Sequence, residues 1–230
     1  TITVTCTDGS NAAATDEYVL TVTNTNDAPT VASAISDVSA AEDAAYSLDI
    51  SSVFTDMDVG DSLSYTISGA PSTITHTSGT ISGTPVNADV GTHTIVVTAT
   101  DSSSAAATVT DTYVLTVTNT NDAPTVASAI SDVSAAEDTA YSLDASGTCT
   151  DVDASDSMDY TISGGPSTIT ATTAGVISGT PVNANVGAHT ITVTCTDGSN
   201  AAATDEYVLT VTNTNDAPTV ASAISDVSAA

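Results

Sequence analysis

Residues 93–101, HTIVVTATD, and 113–118, YVLTVT, decide how this chain must be read. In the first run Ile95, Val97 and Ala99 fall on one face and Thr94, Val96 and Thr98 on the other. In the second, Tyr113, Leu115 and Val117 share a face. A period of two is the signature of a half-buried β-strand, with threonine suited to the outward positions. Working outward, Tyr46/Leu48/Ile50 and Leu63/Tyr65/Ile67 mark two more strands, and Thr30–Ile35, Ser72–Thr77 and Gly79–Gly83 bring the number to about seven. Turn formers such as Gly69, Pro71, Gly83, Pro85 and Gly91 separate them, and helix signals are missing. The expected fold is all-β: seven-stranded antiparallel Greek-key sandwiches of about 95 residues.

The pattern repeats. NTNDAPTVASAISDVSAAED begins at Asn24 and again at Asn119, and NTNDAPTVASAISDVSAA begins at Asn213. Thr1–Ala41 and Thr190–Ala230 are one identical string, two of those steps apart. Two alternating domain types follow from that double period. Residues 1–26 are expected to be the C-terminal part of a cysteine-containing repeat, 27–121 and 122–215 two complete repeats, and 216–230 the first strand of another. The chain is therefore expected to be a stretch of a longer array, cut in mid-domain at both ends. Repetition of this kind suits reach or assembly better than catalysis.

Charge narrows the partners. There are 28 acidic residues and no Lys or Arg, a formal net charge of −28. Nucleic acid and anionic membrane surfaces demand cationic side chains and are excluded as partners. Lys–Asn isopeptide cross-links are excluded too. No apolar run reaches the ~20 residues needed to span a bilayer, so no direct membrane insertion is expected of this segment. Gathered carboxylates can be neutralised only by protons or bound cations, and at neutral pH a hard, oxygen-seeking cation is the natural solution. Spread-out acids could equally serve solubility alone.

Position decides between these readings. In an up-and-down path the loops holding Asp56, Asp58 and Asp61 (FTDMDVGD) and Asp101 (TATD) share one end of the first complete repeat. Glu42 and Asp43 (AAED) and Asp89 (NADVG) share the other. Linkers carry Asn24, Asn26 and Asp27, then Asn119, Asn121 and Asp122, then Asn213, Asn215 and Asp216. Most of the acids thus converge on the domain ends.

The combination NxNDAP…AED…DxD…ISGTP…VTATD resembles the cadherin-like repeats of bacterial and archaeal surface proteins, including the dystroglycan-type variety of large adhesins. The resemblance covers the whole chain. It implies Ig/cadherin-like sandwiches arranged as a rod and Ca²⁺ held between successive domains. Carried over, Glu42 and Asp89 would act from one repeat, Asn119, Asn121 and Asp122 from the linker, and Asp151, Asp153 and Asp197 from the next, with Asp156 a further candidate. Glu137 is the second repeat's counterpart of Glu42. Two departures reduce the implied ligand set: Ala123 precedes Pro124 where the linker usually has a second Asn, and Asn185 replaces Asp89. The plainer alternative is that Asp56, Asp58, Asp151 and Asp153 are turn acids capping their own loops.

Aligning the repeats places Cys149 on Phe54 and Cys195 on the inward-facing Ala99. Both members of one contacting pair change together, as a buried disulfide would require. The alternative is two buried thiols. Cys6 is Cys195 one cycle earlier, its partner expected upstream. A Cys149–Cys195 disulfide implies an oxidising exterior, hence an extracellular or cell-surface location.

Catalysis finds no support. His93 and His189 are equivalent positions, His76 becomes Ala171, and no nucleophile elbow, phosphate loop or dinucleotide motif occurs. The expected function is a calcium-stiffened spacer in a giant extracellular adhesin-type protein, with neighbouring repeats of the chain as partners. The alternative is a self-assembling filament or sheath in which other copies of the chain pack side by side or end to end.

Overall fold

A computed structural model describes residues 1–58, 60–103, 106–153 and 156–227. They divide into two units, Thr1–Asn119 and Thr120–Ala230. No α-helix occurs among the described residues, so none is long and apolar enough to cross a membrane.

The first unit opens with a hairpin of β1 (Ile2–Thr7) and β2 (Ala13–Tyr18). Its sandwich follows with β3 (Thr30–Val31), β4 (Val38–Ala41), β5 (Tyr46–Asp49), β6 (Phe54–Thr55), β7 (Leu63–Ser68), β8 (Ile74–Thr77), β9 (Thr80–Gly83), β10 (Gly91–Asp101) and β11 (Thr108–Thr118). One sheet has the order β4-β11-β10-β7, the facing sheet β5-β9-β8, and β3 pairs with β6. In the second unit β12 (Thr125–Val126), β13 (Val133–Ala136), β14 (Tyr141–Asp144), β15 (Cys149–Thr150) and β16 (Asp159–Ser163) lead to β17 (Ile169–Ala171), β18 (Val176–Gly179), β19 (Gly187–Thr196) and β20 (Ala202–Thr212). Its sheets, β13-β20-β19-β16, β14-β18-β17 and β12-β15, repeat the first unit strand for strand.

The alternation in the sequence becomes the core. Ile95, Val97, Ala99 and Leu115 are fully buried, as are Ile191, Val193, Cys195 and Leu209. Each large aliphatic side chain so buried contributes about 1.5–3 kcal/mol. Across the sandwich the Tyr46 and Tyr113 hydroxyls meet at 3.3 Å, and those of Tyr141 and Tyr207 at 3.2 Å, tying β5 to β11 and β14 to β20. Burial disfavours the phenolate and raises the pKa of all four above the ordinary phenol value. Gly69 and Gly164 adopt φ of 79° and 81°, and a Cβ there would strike the carbonyl oxygens of Thr94 and Thr190.

Residues Thr1–Thr23 repeat the sequence of Thr190–Thr212. The hairpin keeps the register, Ile2 opposite Tyr18 as Ile191 is opposite Tyr207. Yet Val4 is 55% exposed where Val193 is fully buried.

The disulfide expected from the repeat alignment is present, Cys149 to Cys195 with Cα atoms 6.4 Å apart, and Cys6 is free and exposed. In the first unit Phe54 and Ala99 are buried in the same core, and the Phe54 ring lies 5.9 Å from that of Tyr65. In the second, the equivalent Tyr160 is buried and its hydroxyl donates to the Ser146 carbonyl at 2.7 Å. Tyrosine moves inward where phenylalanine is lost.

The run Thr30–Ile35, expected to be one strand, is instead β3 followed by a crossing, after which β4 joins the other sheet. β4 pairs with β11 in parallel, Val38 opposite Leu115 and Ala41 opposite Thr118, whereas the sandwich's other described pairings are antiparallel. Two carboxylates hold the crossing. Asp111 Oδ2 accepts the Ile35 N–H at 2.6 Å, and Asp37 Oδ1 accepts the Val114 N–H at 2.7 Å. Asp205 with Ile130 and Asp132 with Val208 repeat both bonds. A hydrogen bond to a charged acceptor contributes about 1.5–3 kcal/mol. Replacing Asp111→Ala or Asp205→Ala should therefore cost the affected unit about 1–3 kcal/mol, read as a lower urea midpoint at neutral pH, and Asp37→Ala, at an exposed site, less.

Candidate metal centre

Tight turns put the tip acids where they are. Asp56 Oδ1 accepts the Asp58 N–H at 2.9 Å, and Asp151 Oδ1 accepts that of Asp153 at 2.9 Å. These are Asx turns, which Asp forms readily. They spend one oxygen each: Oδ2 of Asp56 and Oδ2 of Asp151 are buried without a hydrogen-bond partner. The turn-acid and ligand readings of the sequence therefore describe different oxygens of the same carboxylate.

Around these oxygens two clusters form, one in each unit. A carboxylate oxygen from each of Asp56, Asp61 and Asp101 lies within 4.8 Å of the other two, and Asp151, Asp156 and Asp197 match this arrangement. Asp101 ends β10 and Asp197 follows β19; both are buried. Asp156 also has a buried, unpartnered Oδ2.

The linker preceding each sandwich is hooked to its own cluster. In the first unit the Asn24 amide donates to Asp58 at 2.9 Å, the Asp27 N–H to Asp58 at 2.7 Å, and the Asn26 amide to Asp101 at 3.0 Å. In the second the Asn121 amide donates to Asp197 at 2.9 Å and the Asp122 N–H to Asp153 at 2.8 Å. Asn119 closes the first unit.

Charge state follows from these contacts. The Asn26 amide, then Ser103, holds Asp101 below the ordinary 3.8, and the Asn121 amide does the same for Asp197. Asp156 goes the other way: desolvation first, then the charges of Asp153, Asp197 and Asp151, push it up. Crowded carboxylates with no Lys or Arg beside them, one of them reluctant to ionise, form an all-oxygen donor set with oxygens to spare. That chemistry fits a hard divalent cation.

The remaining expected ligands make the following contacts. Asp89 belongs to neither three-acid cluster. Its Oδ2 accepts the Thr73 hydroxyl at 2.6 Å and the Val86 N–H at 3.0 Å, and these bonds favour its charged form, lowering its pKa below the ordinary carboxylate value. Asn185 makes the same two bonds through Oδ1, to Thr168 and Val182, so this turn needs an acceptor and not a charge. Glu42 is buried and its N–H donates to the Thr118 carbonyl. Glu137 is fully buried; Oε1 accepts the Thr214 N–H at 2.7 Å while Oε2 is unpartnered. Asn213 follows β20, the Asn215 amide turns back onto the Asp216 carbonyl, and Asp216 accepts the Asn183 amide at 3.3 Å.

A family model described as He_PIG, "Putative Ig domain", matches residues 28–118 and 123–212. The chain belongs to this Ig-domain family, in two tandem copies. No curated protein matches it. Among solved structures the Ig repeats overlay mouse cadherin-23 EC22–24 with a TM-score of 0.56 at 18% identity, covering 81% of this chain and 67% of that one. Protocadherin gamma C5 EC1–3 gives 0.55 at 22%, with 80% and 68% covered, and protocadherin gamma B2 cadherin domains 1–5 give 0.54 at 18%, with 83% and 41% covered. An endo-fucoidan hydrolase of glycoside hydrolase family 107 overlaps at 23% identity with a TM-score of only 0.39; the chain covers 34% of its length and 93% of its own. The cadherin likenesses show the fold, tandem Ig/cadherin-like sandwiches.

Linkage gives the signs. Stability from Asp101 and Asp197 is present above 3.8 and lost as pH falls through their lowered folded-state values. Asp156, raised in the fold, subtracts stability above its folded-state value. Asp156→Asn should thus raise the melting temperature of the second Ig repeat at neutral pH in chelator and shrink any gain that added calcium produces. Differential scanning calorimetry with EGTA and with CaCl₂ checks both signs.

Proposed function

We propose that the chain is a spacer segment of a large extracellular surface protein, its tandem Ig repeats stiffened by calcium bound at the acidic tips. The observation that carries this reading is the second unit's cluster, Asp151, Asp156 and Asp197, two of whose members keep a buried oxygen without a partner. The linker's Asn121 amide donates to Asp197 of that cluster, and its Asp122 N–H donates to the neighbouring Asp153. Bound there, Ca²⁺ supplies positive charge that the chain, with no Lys or Arg, does not possess. Asp151, Asp156 and Asp197 would hold it in the second unit, and Asp56, Asp61 and Asp101 in the first. Asn121 anchors the linker to Asp197 and Asp122 anchors it to Asp153, so neutralising the cluster removes repulsion from the point where the chain enters the sandwich. The buried Cys149–Cys195 bridge supports an oxidising, extracellular setting. The histidines support a structural over an enzymatic role: His93 and His189 each place Nε2 2.7 Å from the carbonyl oxygen of Asp89 or Asn185, and His76 packs against Tyr65.

Calcium should reduce interdomain flexibility and raise the melting temperature. A ligand present at 100 times its Kd adds about 2.7 kcal/mol per site. Small-angle scattering in CaCl₂ should give a narrower distribution of end-to-end lengths than in EGTA. Superimposable profiles in the two conditions would overturn the reading.

A further inference from the structure

The two Ig repeats differ in one covalent respect that matters under tension. In each unit the strand near the entry of the sandwich and the strand at its exit lie side by side and parallel: β4 on β11 and β13 on β20, four residue pairs in each case. Pulling the chain at both ends draws such neighbours past each other lengthwise. Their hydrogen bonds are then loaded together in shear and not opened singly. The paired aspartates Asp37 and Asp111, or Asp132 and Asp205, add charged bonds to the same seam. Resistance to load is thus built alike into both repeats. What happens after the seam yields is not alike. In the first repeat nothing covalent holds residues 28–118, and the pair Phe54 and Ala99 separates freely. In the second, Cys149 on β15 and Cys195 on β19 close a loop with a sequence separation of 46.

We propose that the repeats form a two-stage extensible tether, in which every second domain releases only about half its chain until its disulfide is reduced. The proposal takes its biological use from the spacer reading, but its mechanics need no calcium. A repeat of about 90 residues opens to roughly 300 Å at about 3.3–3.6 Å per residue, and the bridge withholds roughly 150–165 Å of that in the second repeat. Protection is conformational as well as covalent. Cys195 is fully buried and Cys149 nearly so, so a reductant reaches them only after the seam has opened. Reduction by a dithiol then proceeds by attack of one thiolate on a bridge sulfur, expelling the other cysteine as thiolate. The second thiol of the reagent closes on the first, leaving a cyclic disulfide and two protein thiols. Alternation of bridged and unbridged domains would let such an array lengthen in steps while keeping a covalent reserve.

Single-molecule force spectroscopy of the full chain, held by its ends in EGTA, tests this apart from any cation effect. One long step, the whole first repeat, and one short step of about half that length are expected. Added dithiothreitol should release the withheld remainder, and only from a second repeat that has already opened. The double variant Cys149→Phe, Cys195→Ala should give two long steps indifferent to dithiothreitol. Two long steps from the unreduced wild-type chain, or a short step that dithiothreitol never lengthens, would overturn the proposal. Because EGTA is present throughout, failure here leaves the calcium reading untouched, and an unchanged scattering profile leaves this one untouched.

Discussion

A folded chain with 28 carboxylates and no Lys or Arg has to find every counter-interaction for its acids among N–H groups, hydroxyls, amides and solvent cations. Ion pairing with Lys or Arg, the usual answer, is closed to it. The structure uses the remaining answers by location. On the strands, Asp37 and Asp111 take backbone N–H groups. In the turns, Asp49 and Asp144 accept the N–H two residues on, from Ser51 and Ser146, and Asp89 accepts a hydroxyl. At the tips the donors run short. Asn26 and Asn121 reach one acid each, and Asp56, Asp151 and Asp156 each retain a buried oxygen with no hydrogen bond. Unmet electrostatic demand is concentrated at the ends of the sandwiches and not along their sides.

The fold was largely legible because it rests on a period of two. The inward phase of 93–101 and 113–118 is the core of the first repeat, and the double exchange of Phe54 and Ala99 for two cysteines identified a disulfide that the second repeat contains. Less visible was the path of the first strand. Thr30–Ile35 alternates well enough to look continuous, and nothing in its own residues says that it leaves one sheet for the other. The signal lay far along the chain, in Asp111: an acid in the same inward phase as Tyr113 and Leu115 must have a partner, and its partner is the N–H of Ile35. Long-range backbone partners of that kind are invisible to local periodicity.

The candidate site was legible in its acids and opaque in its division of labour. Sequence grouped Asp56, Asp58, Asp61 and Asp101 at one end of a repeat, and the structure gathers Asp56, Asp61 and Asp101 while Asp58 receives the linker. Only geometry separates the oxygen of Asp56 that caps a turn from the one that does not. Asp89 and Asn185 teach the converse: a change from acid to amide that looked like a lost ligand keeps both local hydrogen bonds. The two Ig repeats thus vary where charge is dispensable or where the core can be stapled, and they keep the same acids at the tips.

The proposed stiffening depends on those tip clusters taking up divalent cations. Isothermal titration calorimetry of the chain with CaCl₂, beside the variant Asp56→Asn, Asp61→Asn, Asp151→Asn, Asp156→Asn, measures this directly. Saturable binding in the range of about 0.1–1 mM expected of extracellular calcium modules, abolished in the variant while its β-sheet circular dichroism is unchanged, is the predicted result. A folded wild-type chain that evolves no binding heat at any temperature tried, or a variant that binds as the wild type does, would contradict it.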